Sequence, residues 1–344
     1  MRRFTALYVI LLMAAGCRPK NSESGGKLHF TLLKSNETNI DFNNKITESD
    51  SVNVYDNEYM YNGSGVGIGD FNNDGLQDIF LAGSMVSSKL YLNKGNLPAG
   101  QAGFKFEDIT EKAGLKTSQW CTGVSIIDIN NDGFPDIYIC SSHSHNKERR
   151  KNLLYINDGH LHFTEQAGAY GLADTGFSTQ AAFFDYDKDG DLDMYVLNHR
   201  LYDHTANNLT PKDTSGNSPA EDRLYRNEGI PAGQSHPVFK DVSKEAGIKE
   251  DGYGLGIVIT DVNGDNWPDV YVANDYIAND LLWLNNKNGT FSNSISRSLK
   301  HQSYNSMGVD AADINNDCLP DLAVLDMMPE NNERKKMMFN VASQ

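Results

Sequence analysis

Thirty basic side chains against 46 acidic ones give this 344-residue chain a formal charge of −16, and so acidic a surface repels phosphate, which argues against a nucleic-acid partner. The length suits two ordinary domains or one repeat array. Frequent Gly, Asn and Asp, with no long amphipathic helical pattern, favour an all-β chain, and 39% hydrophobic content is ample for a core.

The first element is a leader. Met1-Arg2-Arg3 precedes the apolar stretch 4–15, a basic start and a hydrophobic run too short for a stable transmembrane span. It ends in Ala14-Ala15-Gly16-Cys17. Small residues directly before a cysteine resemble a bacterial lipobox, with Ala14 where Leu is usual. Residues 1–16 are therefore expected to be a signal peptide, Cys17 the lipidated first residue of the mature chain and residues 17–27 a polar tether; an ordinary signal peptide with an incidental cysteine is the alternative. The expected location is a bacterial membrane, at the outer membrane or cell surface. Cys121, Cys140 and Cys318 remain, an odd number that leaves at least one unpaired within a monomer. Cys121 and Cys140 flank one loop, and the sequence leaves open whether they pair or stay buried thiols.

Residues 28–344 are organised by a nine-residue stretch that occurs five times, starting at Asp70, Asp128, Asp185, Asp261 and Asp313. Oxygen ligands occupy positions one, three, five and nine. They are Asp70, Asn72, Asp74 and Asp78; Asp128, Asn130, Asp132 and Asp136; and Asp185, Asp187, Asp189 and Asp193. The last two sets are Asp261, Asn263, Asp265 and Asp269, and Asp313, Asn315, Asp317 and Asp321. Position seven offers a backbone carbonyl from Leu76, Phe134, Asp191, Trp267 or Leu319. Hard oxygen donors at this spacing suit calcium, up to five ions. One such loop alone could be a solvated Asx turn; five in register argue for the metal. Asp191 adds a carboxylate to the third loop, the expected tightest site. Position six must tolerate positive φ, which Gly75, Gly133 and Gly190 do and Asn266 can. Cys318 suits it poorly and makes the fifth loop the weakest. Position twelve is Leu81, Ile139, Val196, Val272 or Val324, so no bidentate Glu closes an EF-hand.

Each loop lies between a short strand and an apolar one such as Asp136-Ile137-Tyr138-Ile139-Cys140, which reads as covered on both faces. Five positions before each loop comes Gly65, Gly123, Gly256 or Gly308, with Gln180 the exception, and small residues there let strands crowd together. A third strand of the type Leu90-Tyr91-Leu92-Asn93 runs into a turn, and a fourth starts at Phe106, Phe163, Phe239 or Phe291. Four antiparallel strands per repeat describe β-propeller blades, with a sandwich or solenoid as the alternative. The repeats lie near 59–115, 120–172, 178–248, 252–299 and 304–344. The fifth stops after its second strand, so the array is incomplete in this chain, and residues 30–40 are expected to supply an outer strand.

These loops, the Leu-Tyr-Leu-Asn strands and Phe106-Glu107-Asp108-Ile109-Thr110-Glu111-Lys112-Ala113-Gly114-Leu115 resemble FG-GAP or VCBS repeats, which build the calcium-loaded propeller of integrin α chains. The closer resemblance is to the bacterial cartilage acidic protein (ASPIC and UnbV) group, often exported lipoproteins, and covers about residues 59–326. It implies a calcium-binding surface propeller and no particular ligand. A literal Phe-Gly and Gly-Ala-Pro pair is missing from the repeats.

No His-Glu-x-x-His, Gly-x-Ser-x-Gly or phosphate-cradling Gly loop occurs, so an enzyme is not expected. The expected function is a binding module for a protein or glycan, membrane-held through lipid, with a polysaccharide-active enzyme as the alternative. Its ligand face is expected opposite the Asp loops, at Trp120, His143, His145, Arg149, Arg150, Arg200, Tyr202 and Tyr253, since exposed aromatics and Arg dominate binding hot spots. Long insertions favour that face: 199–221 also carries His204. His143 and His145 suit either a transition metal or a solvated loop.

Overall fold

The computed structural model describes residues 32–55, 57–96, 104–200, 212–276, 278–303, 305–327, 331 and 333. The leader 1–16, Cys17, the tether 17–27, Phe30, Tyr202 and His204 lie outside the described residues. The chain divides into residues 1–34 and 35–344, and the second unit holds every described helix and strand.

Four complete antiparallel sheets follow one another, each in chain order. The first is β1 (Val66–Gly69), β2 (Asp78–Leu81), β3 (Lys89–Asn96) and β4 (Phe104–Asp108). The second is β5 (Trp120–Ile127), β6 (Asp136–Ser142), β7 (Leu153–Asn157) and β8 (Phe163–Glu165). The third is β9 (Ser178–Phe184), β10 (Asp193–Asn198), β11 (Arg223–Asn227) and β12 (Phe239–Asp241). The fourth is β13 (Gly254–Thr260), β14 (Asp269–Asn274), β15 (Leu281–Asn285) and β16 (Phe291–Asn293). A fifth sheet has only β17 (Ser306–Ala312) and β18 (Asp321–Asp326).

Burial follows the expected logic. Every residue of β6, β10 and β14 is buried, because each of these strands is covered on both faces. An aromatic on the third strand opposes an apolar residue of the second in each complete sheet: Ile79 with Tyr91, Ile137 with Tyr155, Met194 with Tyr225 and Val270 with Trp283. The core is a series of layers between successive sheets. Phe71, Phe80 and Leu115 of the first sheet's repeat meet Ile137, Ile139 and Phe163 of the second; Tyr138 and Val196 share the next layer, and Tyr195 and Val270 the one after.

The first strands β1, β5, β9, β13 and β17 touch in series, which is the radial packing of propeller blades and not the paired faces of a sandwich. Gly123 shows why the position is small: a Cβ there would sit 2.4 Å from the Thr179 carbonyl oxygen of the next blade. At Gly308, on the last first-strand, the same Cβ would meet nothing within 4 Å. Thr122 and Thr179 reinforce the crowding by donating their hydroxyls to the Ser178 and Gly254 carbonyls, each one blade on.

One expectation changes and one open question closes. The described part of 30–40 holds a helical turn, α1 (Ser35–Thr38), packed on β4, and not a strand. Its Asn36 carbonyl and Asn39 side chain accept hydrogen bonds from Lys105, which ties the segment to the first blade. Cys121 and Cys140 stay free thiols because they belong to different layers, between blades one and two and between blades two and three.

Residues 41–55 and 57–64 then form a strap. It reaches the connection after the second strand in all four complete blades: Asn44 donates to Ser84, Asn57 hydrogen-bonds His143, Tyr59 packs edge-on against His199 at 4.2 Å, and the Tyr59 hydroxyl donates to Asp275 at 2.8 Å. These connections lie on the face opposite the Asp loops, so the strap crosses that face.

Candidate metal loops and the opposite face

All five Asp loops join the first and second strands and stand side by side. Asn73 of loop one donates to the Gly133 carbonyl of loop two, and Lys188 of loop three lies 5.1 Å over the Trp267 ring of loop four. Position six is left-handed throughout, at Gly75, Gly133, Gly190, Asn266 (φ 66°) and Cys318 (φ 69°). Loop five therefore closes like the others despite its cysteine. Position four is also left-handed, at Asn73, Asn131, Lys188, Gly264 and Asn316, a requirement not read from the sequence. The position-one carboxylate accepts the N–H groups of residues five and six in loops one, two, four and five: Asp70 from Asp74 and Gly75, and Asp313 from Asp317 and Cys318, for example.

The ninth-position Asp has a second role. Asp78, Asp136, Asp193 and Asp269 are fully buried, and each accepts two backbone N–H groups, from loop position two and from the Asn that ends the Leu-Tyr-Leu-Asn strand. For Asp136 the donors are Ile129 at 3.1 Å and Asn157 at 2.8 Å. Burial outweighs these bonds and pushes Asp136 up to about 7 and Asp193 up to about 8. In the two-stranded fifth sheet Asp321 accepts from Ile314.

Loop three departs from this pattern. In loops one and two the position-three Asn donates its amide to the position-five carboxylate, Asn72 to Asp74 at 3.0 Å and Asn130 to Asp132 at 2.8 Å. Asp187 has no such proton to give. The Oδ1 atoms of Asp185, Asp187 and Asp191 are buried without a hydrogen-bond partner, and ligand oxygens of Asp185, Asp187 and Asp193 lie within 4.8 Å of one another. Burial first, then the Asp189 charge, pushes Asp191 up to about 6. Orphaned buried acceptors converging without a proton donor are the chemistry a divalent cation satisfies, so these residues fit calcium.

The opposite face is less open than the sequence suggests. Arg150 is 4% exposed, donates to the Thr175, Ser144 and His145 carbonyls and lies over the Phe177 ring, so it is a clamp and not a presented side chain. Arg200 pairs with Asp251, and Tyr253 is buried between His199 and Tyr276. Both were expected among exposed ligand residues; the ion pair with Asp251 commits Arg200, and the rings of His199 and Tyr276 enclose Tyr253. Arg149 and His145 are exposed. Trp120 meets His143 edge-on at 4.8 Å. Burial lowers His143 to about 3, and its φ of 57° places it in the left-handed region. Tyr59, His199 and Tyr276 complete the aromatic cluster, with Asp275 on the Tyr59 hydroxyl, and were not singled out in the sequence, because they meet only once the strap and the connections of successive blades come together.

Residues 70–139 and 261–324 match the FG-GAP-like repeat, and the two stretches begin at Asp70 and Asp261. The chain is also 25% identical over 212 residues to cartilage acidic protein 1 of Mus musculus, covering 61% of this chain. This chain carries FG-GAP-like repeats. The chain spans 28% of the length of that curated relative. Among solved structures it is similar to an Agrocybe aegerita lectin that recognises non-reducing terminal N-acetylglucosamine (TM-score 0.39, 16% identity, 75% of this chain and 59% of that one). It is similar also to the V. cholerae biofilm matrix protein Bap1 (TM-score 0.36, 15% identity, 76% of this chain and 34% of that one).

Proposed function

We propose that this chain is an exported, lipid-anchored recognition module that binds a protein or glycan and is stabilised by calcium in its Asp loops. The observation that carries the calcium reading is the trio of partnerless carboxylate oxygens in loop three. Asp185, Asp187, Asp189, Asp191 and Asp193 would hold the ion there, and it would tie β9 to β10 where the carboxylates otherwise repel. At calcium concentrations of one to ten times Kd, each occupied site adds about 0.4–1.4 kcal/mol. Recognition falls to the opposite face, where Trp120 and His143 adjoin the exposed His145 and Arg149. On this reading the loop carboxylates serve backbone N–H groups and the ion and not glycoside cleavage.

No helix among the described residues is long and apolar enough to cross a membrane; the proposed anchor is lipid on Cys17. Intact-mass analysis of the protein from its native host tests it, and a mature chain starting elsewhere without lipid defeats it. Incubation with a polysaccharide and glycoprotein panel, read for both retention and released fragments, tests recognition. Retention without products is expected; catalytic release of fragments would make the protein an enzyme.

A further inference from the structure

The blade axis holds a cavity of about 510 Å³, inside the roughly 300–1,000 Å³ range of small-molecule sites. Its walls come from the first strands of all five blades, at Val66, Gly123, Gln180, Leu255 and Met307 among others, and the strap contributes Tyr59 and Asn62. His143, His199 and Ser142 complete the end under the strap. Within a chain of formal charge −16, no Asp, Glu, Lys or Arg lines this space among the described residues.

Gln180 and Ser142 are lining groups whose side chains serve no hydrogen bond in the fold among the described residues. Gln180 stands where Gly65, Gly123, Gly256 and Gly308 stand in the other blades, and its amide makes no hydrogen bond to any described residue. Ser142 is 1% exposed, and its hydroxyl likewise makes no hydrogen bond among the described residues. By contrast, the Thr122 and Thr179 hydroxyls in the same wall are spent on neighbouring blades. An amide offers a donor and an acceptor, a hydroxyl offers both, and the Tyr59 ring and Val66, Leu255 and Met307 supply apolar surface. A charged ligand would lose its hydration there without meeting a counter-charge.

We infer that the axial cavity is a binding site for one uncharged sugar unit, held by Gln180 and Ser142 through its hydroxyls and by Tyr59 through a C–H face. The inference rests on the recognition reading above and narrows its ligand to a neutral saccharide. His143 supports it, because burial keeps its imidazole uncharged at neutral pH.

The test is saturation-transfer NMR and calorimetric titration of the full chain with neutral hexoses, N-acetylhexosamines and their disaccharides, with glucosamine and glucuronic acid as charged controls. Wild type should bind at least one neutral sugar and neither control. Gln180→Gly, which restores the residue found in the other blades, should keep the melting temperature and weaken that binding at least tenfold; Ser142→Ala should weaken it several-fold. No neutral sugar bound, or the charged controls bound equally well, would overturn the assignment. Sugar binding that Gln180→Gly leaves intact would place the site elsewhere and leave the recognition reading standing, whereas failure of the whole glycan and protein panel would remove that reading as well.

Discussion

The side-chain amide of Asn157 donates to the main-chain carbonyl of Phe71, 2.9 Å away and one blade earlier. Asn285 repeats the contact two blades on, donating to Tyr186 at 2.7 Å. Asn157 and Asn285 therefore bolt neighbouring blades together, and Asn157 also closes its own turn through Gly159, whereas the equivalent Asn227 donates to Leu192 within its own blade. Asn157→Ala leaves buried carbonyls unmet and should cost about 1–3 kcal/mol, read as a lower denaturation midpoint. An unchanged midpoint would show that the bond contributes nothing.

Asp136 is a staple as well as a proposed ligand. Asp136→Ala orphans the Ile129 and Asn157 N–H groups together and should destabilise the fold by about 2–5 kcal/mol, in chelator as well as in calcium. If saturating calcium restored wild-type stability to the variant, the staple role would be wrong.

Arg149 and Arg150 are adjacent in sequence and opposite in role. Arg150→Ala removes hydrogen bonds to three carbonyls and the contact with Phe177, so a loss of about 2–4 kcal/mol is expected by urea denaturation. Arg149→Ala, on an exposed side chain, should stay within about 0.5 kcal/mol of wild type. Equal effects of the two substitutions would contradict this division.

His143 makes stability depend on pH. Its pKa is about 3 in the fold against 6.5 unfolded, so the unfolded chain takes up the proton first. The contribution is fully present above pH 6.5 and is lost as pH falls from there towards 3, by up to about 1.4 kcal/mol per unit. His143→Asn tolerates the left-handed backbone and cannot titrate. The stability of wild type relative to this variant should fall through that window; a flat difference would mean that His143 protonates freely.

Much of the fold is legible in the residues. The five Asp loops, the doubly covered second strand and the aromatic third strand each repeat with a fixed period, and repetition converts weak local signals into blade boundaries. Position four of the loops, the stapling by the ninth Asp and the Asn bolts were not read, because each depends on which backbone N–H or carbonyl a side chain meets after the sheets have stacked. The opposite face was the least legible. Arg150, Arg200 and Tyr253 look like exposed recognition residues until the neighbouring connections clamp Arg150, pair Arg200 and enclose Tyr253, and nothing local in residues 41–64 announces a segment that touches four blades.

Thermal unfolding of wild type and Asp187→Asn, each in calcium and in excess chelator, tests the calcium-stabilised propeller most directly. Calcium should raise the wild-type melting temperature by several degrees, and Asp187→Asn, which gives loop three the amide donor that Asn72 and Asn130 provide elsewhere, should melt higher than wild type in chelator while gaining less from calcium. Identical wild-type melting curves in calcium and in chelator would contradict the account.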